Sequence, residues 1–145
     1  LRASEAAGVD GIIMNRNCVD IYSPKVVRST MGAVLRVPFL IVEDLLTAVE
    51  RLKDSKYLNK LSIGDISFYA ACLESDGYYT DFDYKRGSCF MIGNEAHGLS
   101  EELINAADRR IKIPMHGSVE SLNAAMAATV LVFEADRQRR VKNGD

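Results

Sequence analysis

Cysteine is sparse in this chain and poorly spaced for chemistry: Cys18, Cys72 and Cys89 are odd in number, far apart and in no CxxC arrangement. That excludes a disulfide framework and offers no zinc site, so no bound metal is expected and the thiols are read as reduced core residues. Long apolar runs are also missing. None approaches the roughly 20 residues that a membrane span needs, and LRASEAAGVDG carries no signal-peptide stretch. A soluble, cytoplasmic chain without a membrane partner is the expectation. Charge of one sign is not in surplus either, with 18 Lys+Arg against 20 Asp+Glu and a net charge of −2. This argues against a protein that coats nucleic acid over its whole surface, although local clusters can still act. Arg109, Arg110 and Lys112 form one such cluster, and Arg137, Arg139, Arg140 and Lys142 another. Repeats and low-complexity segments are absent.

What remains is ordinary globular composition. The 145 residues are 48% hydrophobic and 26% charged, which suits one domain over 1–145 with a core of its own. The opening LRASEAAG reads as a helix ending at Gly8 with no capping residue before it, so the chain is expected to start inside an element.

The strongest signals are short apolar runs alternating with helical patterns. VDGIIM, 9–14, reads as a buried strand. Ser23-Pro24 caps a helix that runs to Gly32. AVLRVPFLIV, 33–42, reads as a strand that Pro38 breaks or confines to an edge. From Glu43 onward Leu45, Leu46, Val49 and Leu52 recur at helical spacing before LKDSK fades into a loop. DISFYAACL, 65–73, is a strand followed by the turn-rich SDGYYTDFDYKRG, and SCFMIG and RIKIPM are two more. Ser100 caps a helix over SEELINAAD, with Glu101 and Glu102 in its first turn. The last helix starts near Ser121, with Leu122, Ala125, Met126, Thr129, Val132 and Phe133 as its apolar face. Alternation of this kind predicts an α/β fold with a mainly parallel sheet and helices on both faces.

In such folds ligands bind at the carboxyl ends of strands, where FMIGNEAHGLS and IKIPMHGSVESLN both fall. A phosphate loop fails, because Leu99 stands where GxxxxGK[ST] needs its lysine, and GxGxxG is absent. The glycines alone are equally well read as turn formers. Asn94 and Glu95, polar directly after a buried strand, and Ser121, Leu122 and Asn123 at a helix start shift the balance toward a site.

These residues carry a resemblance. IGNEAHGLSEEL followed by IKIPMHGSVESLNAAMAATVLVFEADRQR resembles the second and third motifs of the SpoU/TrmH family of RNA ribose 2′-O-methyltransferases. LRASEAAGVDGIIM resembles the end of that family's first motif, whose opening half and preceding strand would lie before Leu1. The resemblance implies a C-terminal deep trefoil knot, against the general avoidance of knots. It also implies S-adenosylmethionine as methyl donor, structured ribosomal or transfer RNA as substrate, and a homodimer that completes each site. On the residues that match, Arg2, Glu95, Ser121 and Asn123 are the catalytic candidates. Leu73, Gly93, Asn94, Gly98, Ile113, Met115 and Leu122 are the cofactor candidates.

The chemistry of these side chains fits alongside. A neutral adenine and a positive sulfonium need apolar walls and backbone partners more than a phosphate cradle. Ile113, Met115 and Leu122, joined by Leu73, are expected to line an adenine pocket, with Gly93 letting the main chain approach. Arg2 stays protonated, so its expected role is to stabilise the oxyanion or grip the neighbouring phosphate. For Glu95, satisfying loop amides is as good a reading as catalysis. His97 and His116 are read as solvated loop residues, and the basic end of the last helix as a solvated face. Lys25, Arg28 and Arg36 are better placed for phosphate contacts. Two other functions stay open: a catalytically silent RNA-binding or assembly module, and a knotted enzyme methylating a base nitrogen.

Overall fold

The computed structural model describes residues 1–54, 64–94 and 97–143. Helix α1 (Arg2–Ala6) leads to strand β1 (Ile12–Asn15), helix α2 (Pro24–Ser29), strand β2 (Phe39–Val42) and helix α3 (Leu45–Lys53). Strand β3 (Ile66–Ala71) is followed by the short β4 (Gly77–Tyr78), then β5 (Gly87–Ile92), helix α4 (Glu101–Ala106), β6 (Arg109–Lys112) and the long helix α5 (Ala124–Asn143). Among the described residues every strand pair is parallel, in two sheets: β1-β2, and β4-β6-β3-β5.

Parallel strands need both faces covered, and β3 shows how its sequence achieves that. Successive side chains alternate across the sheet. Phe68 and Ala70 pack with Val49 of α3 and Met91 of β5, with Leu103 of α4 against the same cluster. Tyr69 packs on the other side with Tyr84, Ile111 and the α5 residues Leu131 and Ala135. Phe68, Tyr84, Ile111 and Leu131 are the largest fully buried side chains, and burying a side chain of this size contributes about 1.5–3 kcal/mol. Tyr84 keeps its hydroxyl satisfied inside that apolar cluster by donating to the Tyr79 carbonyl at 2.6 Å.

Several expectations need correction. The segment 33–42 is not one strand: Met31 and Gly32 take left-handed φ values of 52° and 86°. Ala33–Leu35 is then a 3-10 turn, so only Phe39–Val42, just beyond Pro38, is extended. The first helical pattern after it starts at Asp44, whose carboxylate caps α3 by accepting from the Leu46 and Thr47 amides. Within the turn-rich connection, Gly77–Tyr78 is a strand, too short to leave a period in the sequence. The last helix begins at Ala124 rather than Ser121. Its buried face is also not the expected one: Leu131, Ala135 and Gln138 are buried, whereas Met126 and Phe133 are 52% and 42% exposed. Among the cysteines, Cys18 is exposed rather than in the core. No described helix is long and apolar enough to cross a membrane, and the described residues hold no group of three or more His, Cys, Asp or Glu arranged for a metal ion.

Candidate active site

One rung of the four-stranded sheet sets the site. Ala71 pairs with Ile92 on one side and Ile111 on the other, and Gly77 pairs with Ile111 from beyond. At that level the chain leaves β3 into 72–76, β5 into 93–100 and β6 into 113–123. The two conspicuous loops of the sequence therefore lie at the same sheet end, with a third loop beside them.

The loop after β5 is built by its own backbone. Asn94 and Gly98 form an antiparallel bridge, the Gly98 amide donates to the Asn94 carbonyl at 2.9 Å, and the His97 amide donates to Asn94 Oδ1 at 2.7 Å. Gly98 has a φ of +67°. A Cβ on Gly93 would lie 2.0 Å from the Gly98 carbonyl carbon and 2.3 Å from the Leu99 nitrogen. The expected reason for Gly93 thus changes: what approaches its main chain is the loop's other arm. Ser100 then caps α4 by accepting from the Leu103 amide. Glu95 lies outside the described residues.

In the loop after β6, Ile113 packs against the Tyr69–Tyr84–Leu131 cluster. Ile113, Met115 and Leu122 are half-buried, while Ser121 and Asn123 are exposed. Asn123 has a local task, because its side-chain oxygen accepts from the Met126 amide at 2.8 Å and its carbonyl from the Ala127 amide at 2.9 Å. That is an N-cap, so the asparagine of Ser-Leu-Asn precedes the helix rather than lying in it. His97 and His116 are both exposed.

The loop after β3 is strapped to β6 at both ends. The Cys72 amide donates to the Ile111 carbonyl at 3.1 Å, and the Asp76 amide to the Arg110 carbonyl at 2.9 Å. Asp76 Oδ2 also accepts from the Arg110 amide. Leu73 between them is 61% exposed, and Ser75 Oγ is buried without a hydrogen-bond partner. The sequence reading passes over Ser75, because a serine in a turn-rich stretch looks unremarkable until β4 is seen to close the loop.

Arg2 is exposed on α1, and its side chain has no hydrogen-bond or ion-pair partner among the described residues. Helix α1 packs along α5 and the 3-10 turn. Glu5 of α1 holds Arg36 through both carboxylate oxygens, which keeps the Glu5 carboxyl below the usual carboxylate range. Arg36 is thus engaged within the fold, whereas Lys25 and Arg28 stay exposed. The basic end of α5 is largely paired too: Arg137 with Glu134, Arg140 with Asp136, and Arg139 with the Tyr84 and Arg86 carbonyls. The Arg109–Lys112 cluster is likewise partnered, Arg110 with Asn105 and Lys112 over the Tyr78 ring.

Neither 93–100 nor 113–123 contains a lysine or arginine. Together with the half-buried Ile113, Met115 and Leu122, this donor set suits a neutral purine and a cationic sulfonium better than a phosphate chain. A family model described as SpoU rRNA Methylase family matches residues 1–133. A 23S rRNA (uridine(2479)-2′-O)-methyltransferase of Streptomyces viridochromogenes is 34% identical over 139 residues, covering 96% of this chain and 47% of the relative. The 23S rRNA (guanosine(2553)-2′-O)-methyltransferase RlmP of Bacillus subtilis is 26% identical over 133 residues, 92% of this chain and 50% of the relative. Among solved structures, the S. viridochromogenes SpoU methyltransferase AviRb in complex with AdoMet superposes with a TM-score of 0.83 at 33% identity, covering 95% of this chain and 51% of that one. The A. aeolicus TrmH/SpoU tRNA modifying enzyme gives 0.80 at 26% identity, covering 98% and 68%. The chain spans about half the length of the curated relatives it matches.

Proposed function

This chain belongs to the SpoU rRNA Methylase family, and from that membership we propose that it transfers the methyl group of S-adenosylmethionine to a ribose 2′-hydroxyl of structured RNA, ribosomal or transfer. The observation that carries the reading is the shared sheet end: the loops after β5 and β6, which carry the second and third family motifs, leave the sheet at one rung, with the loop after β3 beside them. The relatives named for 2′-O-methylation of 23S rRNA and the AdoMet complex of a structural neighbour support it.

Ile113, Met115, Leu122 and Leu73 would hold the adenine, and the backbone of 93–98 with Asn94 and Gly98 would border it. When bound, the cofactor supplies an electrophilic methyl group. The ribose hydroxyl is a poor nucleophile until its proton leaves or its growing charge is stabilised. Arg2 serves that charge or the adjacent phosphate, and its side chain, exposed and without a partner among the described residues, is available for either. Ser121, Asn123 and Glu95 orient the hydroxyl and hold the loops.

Two finer features belong to the same reading. β6 lies between β3 and β4, which are consecutive in sequence and joined only by 72–76. A short connection that straddles a later strand supports the trefoil knot. The exposed apolar face of α5 supports the homodimer.

The test is methyl transfer from labelled S-adenosylmethionine to total RNA, followed by mapping of linkages that resist alkaline cleavage because their 2′-oxygen is blocked. Label on a base nitrogen would overturn the ribose assignment, and cofactor binding without transfer would select a silent RNA-binding module. Arg2→Ala should lower the single-turnover rate by roughly a hundredfold with cofactor affinity unchanged, the scale seen on removing one oxyanion donor. Arg2→Lys should recover little if the planar fork matters.

A further inference from the structure

Buried hydroxyls in folded proteins nearly always find a partner, and Ser75 Oγ is the one buried side-chain oxygen or nitrogen among the described residues that has none. Its neighbours make the omission informative. Cys72 and Asp76 fix the loop to β6 through the Ile111 and Arg110 backbone, and the Cys72 thiol donates to the Glu74 carbonyl at 2.9 Å. The loop is thus held at both ends, and its one buried hydroxyl takes no part in the holding. It also sits at the sheet end where the motif loops converge, in the same connection as Leu73 and next to the strand that runs into Ile113. A desolvated donor and acceptor without a protein partner is suited to a ligand that brings its own polar atoms to it.

We propose that the Ser75 hydroxyl hydrogen-bonds the adenosine portion of the cofactor. This rests on the reading that the strand-end loops bind S-adenosylmethionine. Adenosine rather than the amino-acid end is assigned because Leu73 in this loop and Ile113 at the end of the strand beside it give apolar walls, while of the charged neighbours Asp76 is bonded to the Arg110 amide, Arg110 to Asn105 and Lys112 lies over the Tyr78 ring.

Calorimetry on the wild-type protein, Ser75→Ala and Ser75→Cys with two probes, S-adenosylhomocysteine and 5′-methylthioadenosine, tests this apart from turnover. Both substitutions should weaken both probes about tenfold, the size of one lost hydrogen bond. The thermal midpoint of the ligand-free Ser75→Ala protein should hold or rise, since no protein hydrogen bond is removed. Unchanged affinity in both variants while the wild type binds overturns the Ser75 assignment and leaves the cofactor reading intact. A loss confined to S-adenosylhomocysteine overturns the adenosine assignment, and a lowered midpoint in the ligand-free protein makes the hydroxyl structural. A wild type that binds neither probe overturns the cofactor reading itself.

Discussion

At Gly93 a side chain has nowhere to go, because backbone atoms of Gly98 and Leu99 already lie within 2.3 Å of its Cβ position. Gly98 is different: nothing lies within 4 Å, and only its positive φ resists a side chain. Gly93→Ala should therefore destabilise by about 3 kcal/mol or more, against about 1–2 kcal/mol for Gly98→Ala. Urea unfolding of the two variants checks the order, and equal costs would refute the account of the loop. It follows that lost cofactor binding in a Gly93 variant reports a broken loop before it reports a ligand contact. The cysteines give a second contrast at this scale. Burial pushes the Cys89 thiol up to about 11, and only the thiolate is nucleophilic, while Cys18 is exposed. Iodoacetamide at neutral pH should label Cys18 first and leave Cys89 unlabelled until the protein unfolds, as peptide mass mapping would record.

Helix α5 carries the information at the scale of elements. Its first residue follows an asparagine that both caps it and belongs to the family motif, so two roles share one side chain. Asparagine and aspartate cap about equally well. Asn123→Asp should leave the unfolding midpoint near wild type, whereas Asn123→Ala should cost about 1 kcal/mol. If the amide also orients the substrate, both variants lose methyl transfer; a fully active Asn123→Asp would confine the residue to capping. Further along, Glu134 accepts from Arg137 and Gln138, and Gln138 in turn bonds the Tyr84 amide and the Phe82 carbonyl. These contacts, the Arg137 hydrogen bond first, hold the Glu134 carboxyl below its ordinary value of 4.5. A lowered folded value means that its contribution is present above about pH 4.5 and is lost as pH falls through that lower value. The stability gap between wild type and Glu134→Gln should accordingly shrink as pH falls below the ordinary carboxylate value of 4.5, measured by urea titration at several pH values.

For the whole molecule the consequence lies in the apolar surface left outside. Leu131 and Ala135 face the sheet, yet Met126 and Phe133 of the same helix are largely exposed. One small four-stranded sheet can cover only one side of a helix. A second copy seated on the other side would account for its composition. Sedimentation should show a dimer at micromolar concentration that Phe133→Asp converts to monomer, and a wild-type monomer active in methyl transfer would exclude a shared site.

The sequence alone determined the α/β class, strands within DISFYAACL and SCFMIG, the start of α2 at Ser23-Pro24, the cap at Ser100 and the family of the motif loops. These depend on short-range causes: side-chain period, N-cap chemistry and residue order within a loop. The tertiary structure decided the rest. It showed that β6 enters between β3 and β4, that α5 buries Leu131 and Ala135 instead of Met126 and Phe133, that Arg36 is held by Glu5, and that Gly93 answers to Gly98. Each depends on which distant segment packs against which. A helix apolar on two sides, or a glycine before a turn, has the same sequence whichever neighbour arrives, and only the packed sheet selects among them.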